Sequence, residues 1–219
     1  MCGRYTLATT ADELVEAFDV PPPTFDLVPR YNIAPSQDVP VVAEDRHGRR
    51  VGLLTWGLVP GWIEEPGSGI INARSESVAD KPSFREAFER RRCLVPADGF
   101  YEWKKEGGGK VPYWIHPRAG GLMAFAGIWE RWSRPGAESR HTFAILTTDA
   151  SEDVAPIHDR MPVVVATADR DRWLDGSADP RKLLDILRAP PAGSLVSHAV
   201  AIRVNRPAED DAELIEPAG

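Results

Sequence analysis

Arg92-Cys93-Leu94-Val95-Pro96-Ala97-Asp98-Gly99-Phe100-Tyr101-Glu102-Trp103-Lys104 reads as two strands, Arg92–Pro96 and Gly99–Lys104, separated only by Ala97-Asp98. The first is a continuous apolar run and the second alternates, and no helix lies between them. Outward from this pair the same character continues. Upstream, residues 82–90 read as a short helix with Phe84 and Phe88 at i and i+4. Val39–Ala43 and Val51–Trp56 read as a hairpin around Asp45-Arg46-His47-Gly48. Residues 11–18 have helical spacing, with Leu14, Val15 and Phe18 on one side, and Pro21-Pro22-Pro23 ends that helix. Downstream of the loop at Gly107-Gly108-Gly109, strand-length apolar runs recur at Pro112–Ile115, Leu122–Trp129, Thr142–Thr147 and Met161–Ala166, followed by helices at Ala168–Leu174 and Pro180–Leu187. Strands fill the middle and helices the edges, without the β-α-β alternation of a doubly wound sheet. The expectation is α+β: a single domain over residues 2–205 with a largely antiparallel, barrel-like β-sheet core and peripheral helices, then an acidic C-terminal extension at 206–219.

The chain has 219 residues, 42% hydrophobic and 27% charged, enough to bury a core. Its 20 prolines and 18 glycines suit many short strands and turns. No run approaches the roughly 18 apolar residues of a membrane span, and Met1-Cys2-Gly3-Arg4 leads into no apolar signal region, so no membrane association and a cytoplasmic location are expected. The 2 cysteines build no disulfide framework, and the 5 histidines fall into no ligand spacing, so no metal and no cofactor are expected. A net charge of −7, taken whole, argues against a partner as acidic as nucleic acid.

Initiator methionine is normally removed before a small residue, so the mature chain is expected to begin at Cys2. Such a cysteine carries two nucleophiles on adjacent carbons, an α-amine of pKa about 7.7–8.0 and a thiol of about 8.5. An aldehyde engages both, the amine as a Schiff base and the thiol by closing a five-membered thiazolidine. An ester or amide engages one, as in N-terminal nucleophile hydrolases. On its own the residue is also explained as a cysteine beside a frayed terminus. Glu102, between two aromatics, has the setting of a carboxyl with a raised pKa, or of an ordinary strand residue. In Ile157-His158-Asp159-Arg160-Met161-Pro162, His158 titrates near neutrality and Arg160 binds anions, unless the segment is a solvated turn. In Ile71-Asn72-Ala73-Arg74-Ser75-Glu76, Asn72 offers an amide and Arg74 a bidentate phosphate clamp. Cys93 reads as an inert core thiol.

Six blocks together resemble one family, the SOS response-associated peptidase (SRAP) family of abasic-site processing proteins. They are Met1–Tyr5, Arg30–Pro35, Trp56–Trp62, Ile71–Glu76, Cys93–Trp103 and Ile157–Pro162, in family order, with Val196-Ser197 and Ala212–Ile215 similar to the family's ending. The resemblance implies a β-rich fold with a positively charged groove, and an enzyme whose Cys2 bonds covalently to the ring-opened aldehyde of an abasic site in single-stranded DNA, shielding it during the DNA damage response. It implies that Asn72 positions Cys2, that Glu102 transfers protons during ring opening and closure, and that His158 assists at the sugar hydroxyl or imine. Arg4, Arg74 and Arg160 are the expected phosphate contacts; Pro35 and Trp62 are expected at flanking bases and Thr147 at a phosphate. The family's autoproteolytic peptidase activity, and an AP-lyase activity, would use the same residues. A monomer is expected, nucleoid-associated when joined to DNA. The loop Ile63–Ile70, with Glu64 and Glu65, departs from the family pattern where a DNA-facing edge is expected.

The charge is unevenly placed. Arg74–Arg118 holds 10 Lys and Arg against 7 Asp and Glu, while residues 205–219 carry −4. The expectation becomes weak, salt-screened affinity for DNA, retained by the bond at Cys2. Two alternatives stay open: an N-terminal cysteine peptidase or amide hydrolase using Cys2 and His158, and a binding module in which Cys2 is incidental.

Overall fold

Alternation along the central strands divides the interior into two apolar clusters, as the two-residue period of a strand requires. The computed structural model describes residues 2–65 and 67–218. Met1, with the expectation of its removal, and Pro66, within the Ile63–Ile70 loop, lie outside the described residues, as does Gly219.

The elements run β1 (Tyr5–Leu7), α1 (Ala11–Phe18), β2 (Arg30–Ile33), β3 (Asp38–Asp45), β4 (Gly48–Trp56), β5 (Asn72–Arg74), α2 (Arg85–Arg90), β6 (Arg92–Ala97), β7 (Gly99–Glu106), β8 (Gly109–Pro117), β9 (Met123–Trp132), β10 (Arg140–Asp149), β11 (Arg160–Pro162), α3 (Arg170–Leu174) and β12 (Leu195–Ala199). One sheet has the order β12-β8-β7-β1-β2. The other runs β11-β10-β4-β3-β6-β9, and β9 pairs back onto β10, closing a five-strand ring with β5 attached to β10. The barrel-like, largely antiparallel α+β fold expected from the sequence is therefore present. Parallel pairs occur where β4 and β5 meet β10. Among the described residues no helix is long and apolar enough to cross a membrane.

Val41, Cys93, Val95, Phe125, Phe143 and Ile145 face one cluster together with Cys2, Tyr5 and Phe100. Their neighbours Val42, Leu94, Ala124, Ala126, Ala144 and Leu146 face the other, which α1, α2 and α3 cover with Leu14, Phe18, Phe88 and Trp173. Helix α1 begins in a capping box, Thr10 accepting from the Glu13 N–H and Glu13 reaching back to the Thr10 N–H.

Two basic features are structural. Arg92 is buried and donates to the carbonyls of Phe88, Glu89, Trp173 and Asp175. Arg91 pairs with Glu86 and Glu130. Two of the three arginines in the Arg90-Arg91-Arg92 run are thus spent on contacts within the chain.

The acidic segment read as an extension packs onto β2. Asp210 accepts from the backbone N–H groups of Tyr31 and Asn32 and pairs with Arg30. The buried Asn32 side chain donates to the carbonyls of Val204, Arg206 and Glu209. Leu214 joins Tyr101, Val200 and Val204 in a third apolar cluster, and Arg203 pairs with Glu209, Asp211 and Glu213. Replacing Asp210 by Ala strands two backbone donors and an arginine, a loss of about 2–3 kcal/mol. For a chain this size Tm is expected to fall by about 4–12 °C in calorimetry.

Candidate active site

Tyr5 anchors the segment that carries Cys2. It pairs with Ile33 of β2 and Phe100 of β7, and its ring meets Trp56 and Phe125 edge-on at 5.3 and 6.0 Å. Three residues earlier, Cys2 is fully buried, and its thiol donates to the Arg4 carbonyl at 3.7 Å. Asn72 reaches it from β5, where it stands opposite Ile145 of β10. Its Nδ2 donates to the Cys2 carbonyl at 2.8 Å. Its Oδ1 is buried with no hydrogen-bond partner among the described residues, an acceptor held ready beside the N-terminal segment.

Glu102 arrives from β7, where the face begun by Phe100 leaves the core; its side chain is 3% exposed. Burial raises its carboxyl pKa, and His158 partly opposes the rise. Burial also pushes the Cys2 thiol far up, reinforced by the nearby Glu102 carboxylate. The thiol is thus a protonated group here. Cys93 is raised by burial alone, consistent with an inert core thiol.

His158 sits in the turn between β10 and β11, held by the Ala150 N–H to the Asp159 carbonyl at 3.0 Å and the His158 N–H to the Val154 carbonyl at 3.1 Å. The Arg160 backbone N–H donates to Nδ1 at 3.0 Å. Nδ1 also lies 3.2 Å from the Arg160 carbonyl oxygen and 2.9 Å from Asp159 Oδ1, and Nε2 stands 3.8 Å from Glu102 Oε2. Four residues distant in sequence thus meet: Asn72 bonds Cys2, Glu102 acts on the Cys2 thiol, and His158 faces Glu102.

The expected DNA contacts divide by exposure. Arg74 is exposed at the end of β5, two residues from Asn72 and therefore on its face. Trp62 is 65% exposed on a loop pinned by Trp132 Nε1 to the Ile63 carbonyl and by Arg134 to the carbonyls of Gly61 and Ile63. That loop closes through a bridge between Leu58 and Ile70, and its two ends approach so tightly that a Cβ on Gly69 would lie 2.1 Å from the Gly57 carbonyl oxygen. Pro35 is half-buried. Arg4 is also half-buried, donating to Asn32 Oδ1 at 2.9 Å and the Val204 carbonyl at 2.7 Å.

Arg160 and Thr147 are turned inward. The Arg160 guanidinium takes Glu76 bidentately, Asp149 at 2.7 Å and the Thr147 carbonyl at 2.7 Å. Thr147 has no exposed surface. Arg160 thereby ties the His158 turn to the Asn72 segment through Glu76, and Thr147 forms part of that tie. Glu76 and Asp149 were missed as partners. Glu76 lies inside the block that carries Asn72 and Arg74, so an unassigned carboxylate there was the available signal; nothing local marks Asp149. Among the described residues, no group of three or more His, Cys, Asp or Glu side chains is placed to hold a metal ion.

A closed β-ring joined to a second sheet holds Cys2 beside the Asn72 amide and the buried Glu102 carboxyl, which the His158 imidazole faces. The family model described as SOS response associated peptidase (SRAP) matches residues 1–207, and the chain belongs to that family. It is 39% identical over 222 residues to the abasic site processing protein YoqW of Bacillus subtilis strain 168, covering 99% of each chain. It is 30% identical over 227 residues to the abasic site processing protein YedK of Escherichia coli strain K12, covering 99% of this chain and 100% of that one. The fold is similar to an X-ray crystal structure of a Bacteroides thetaiotaomicron protein, with a TM-score of 0.86 at 23% identity over 99% of this chain and 100% of that one.

Proposed function

We propose that this protein processes abasic sites in single-stranded DNA by forming a thiazolidine between Cys2, freed of Met1, and the ring-opened sugar aldehyde. The observation that carries this reading is that Asn72 bonds the Cys2 carbonyl, the buried Glu102 carboxyl lies close enough to act on the Cys2 thiol, and His158 faces Glu102. An abasic sugar is mostly a closed hemiacetal. Glu102, with its pKa raised by burial, is suited to pass a proton between the C1′ hydroxyl and the ring oxygen. The α-amine then adds to C1′, and loss of water from the carbinolamine gives the imine, with Glu102 or His158 supplying the proton to the departing hydroxyl. Finally the sulfur bonds to C1′, the C=N electron pair moves to nitrogen, and the thiol proton ends on that nitrogen. A buried, protonated thiol favours this order, amine first and sulfur last, over the thiolate attack on an amide that a peptidase needs.

The exposed Arg74 is proposed to meet the phosphate beside the lesion, with Trp62 and Pro35 at flanking bases and Arg4 backing the N-terminal segment. Non-covalent affinity is weak and salt-sensitive, and the covalent bond gives retention. Shielding of lesions during the SOS response, AP-lyase cleavage by β-elimination from the imine, action as a monomer and a cytoplasmic, nucleoid-associated location belong to the same proposal.

The test is incubation with single-stranded DNA in which a glycosylase has excised one uracil, followed by denaturing electrophoresis. A heat-stable shifted band is expected, and its absence overturns the reading. Asn72→Ala removes one donor and one acceptor beside Cys2. The adduct is expected to form about 10- to 100-fold more slowly, the size of a lost hydrogen bond in a buried site, while binding to DNA bearing a tetrahydrofuran site, which has no aldehyde, stays within about threefold in fluorescence anisotropy.

A further inference from the structure

Strands β7 and β8 pair with Glu102 opposite Tyr113 and Lys104 opposite Val111. Residues two apart share a face, so Phe100, Glu102 and Lys104 form one row and Ile115, Tyr113 and Val111 the row beside it. The inner end of both rows is core, since Phe100 and Ile115 are fully buried. At Glu102 the core ends, and the same face continues outward as Tyr113 and Lys104, both half-buried. Lys104 Nζ stands 5.8 Å from the Tyr113 ring centroid, and 3.8 Å from Glu106 Oε1. On the other side of Tyr113, β12 offers only the methyl of Ala199.

The opposite face of the hairpin differs. There Tyr101, Trp103 and Trp114 pack with Val200, Val204 and Leu214 of the C-terminal segment, and Trp103 donates to Asn205 at 2.8 Å. Those aromatics already have an occupant within the chain. Tyr113 instead lies beside the Glu102 carboxyl and next to an ammonium, on the face whose tip residue is Glu106; Lys105 and Lys110 project from the opposite face.

We propose that this face of the β7–β8 hairpin seats the nucleotide adjoining the abasic sugar, with Tyr113 stacked on its base and Lys104 at its phosphate. This rests on the reading of Cys2 as a site for abasic single-stranded DNA. A ring and a cation one strand-step apart are what sequence-independent single-strand binding uses, since every base has a face to stack and every linkage a charge. The seat lies on one side of the lesion only. It selects substrates that continue as single strand in that direction.

The test is anisotropy with labelled single-stranded DNA containing a tetrahydrofuran site, using oligonucleotides that extend on both sides of it, only 5′ or only 3′. Tyr113→Leu keeps bulk but cannot stack, and is expected to weaken binding of the two-sided oligonucleotide about 5- to 100-fold. Tyr113→Phe is expected to stay within about twofold of the parent protein. Lys104→Gln is expected to reduce the slope of log affinity against log salt by about 0.7, one single-strand phosphate. Both losses are expected to vanish on one of the one-sided oligonucleotides and persist on the other. Binding by Tyr113→Leu and Lys104→Gln equal to the parent, or equal losses on both one-sided oligonucleotides, overturns the seat. If Tyr113→Leu does not fold, Lys104→Gln, a surface change, decides alone. Failure of the parent protein to join aldehyde-bearing DNA overturns the covalent reading instead, whatever these binding data show.

Discussion

Cys2→Ala is expected to form no heat-stable adduct with abasic single-stranded DNA, a loss of the whole signal, while Cys2→Ser gives an adduct of a different kind. Serine keeps the α-amine and an Asn72-bonded carbonyl, so the imine still forms. Its hydroxyl is a far poorer nucleophile than sulfur for closing the ring, so the adduct is expected to hydrolyse on heating and to survive only after borohydride reduction. Cys2→Ala keeps the amine too and is expected to share the borohydride-dependent adduct, whereas a residue inserted before Cys2 converts that amine to an amide and is expected to remove both the heat-stable and the reducible adduct at Cys2. Stable adducts from both variants would mean that some other side chain forms the bond. The incidental-cysteine alternative predicts that outcome.

Glu102→Gln carries the second large effect, and it runs in opposite directions for activity and stability. Glutamine holds the same shape without exchanging a proton, and loss of a general acid-base typically costs 10²- to 10⁴-fold, so adduct formation at pH 7 is expected to slow by about that factor. Burial raises the Glu102 pKa above its ordinary value, so over the interval between the two values the folded state binds more protons than the unfolded one. Stability from this group is complete below the ordinary carboxylate range and declines as pH rises through the raised value. The Gln variant has no such decline. Its Tm is expected to equal the parent's near pH about 4 and to exceed it by a few degrees in alkaline buffer, at about 2–4 °C per kcal/mol for this size. A Tm difference independent of pH would show that Glu102 is not a buried group of raised pKa.

The sequence was legible where a strand or helix follows its own period. Helix α1 matches the spacing of Leu14, Val15 and Phe18, and the β3–β4 hairpin forms around its turn residues. The β7–β8 strands run on to Glu106 and from Gly109, so only Gly107-Gly108 of the glycine tract turns and Gly109 belongs to the ladder. The missed strands β1, β2, β5 and β12 have 3 to 5 residues each. No period is readable at that length, and long-range partners form them. Conversely, Met161–Ala166 read as one strand, but β11 stops at Pro162 and continues only as a single bridge at Val164. The helix read at Pro180–Leu187 is a 3-10 helix over Pro180–Ile186.

Within the site, residue type announced Cys2, Glu102 and His158, since each has a chemistry that position and neighbours sharpen. The roles of the arginines were not legible. Arg160 and Arg92 look the same as Arg74 in sequence, yet the fold surrounds the first two with carboxylates or carbonyls and leaves Arg74 exposed. What an arginine binds is decided by partners brought from far along the chain, Glu76 from 84 residues away to Arg160 and Asp210 from 180 residues away to Arg30. The same holds for the acidic tail, where Asp210 pairs with Arg30 and Arg203 pairs with Glu209, Asp211 and Glu213.

The most direct measurement is intact mass spectrometry of the purified adduct with a short abasic oligonucleotide, followed by alkylation under denaturing conditions. A thiazolidine at Cys2 predicts the mass of the Met1-less chain plus the DNA less one water, one alkylatable thiol remaining at Cys93, and no mass gain on borohydride treatment. Two alkylatable thiols and a gain of two hydrogens would show a plain imine, and a chain retaining Met1 in the adduct would contradict the chemistry altogether.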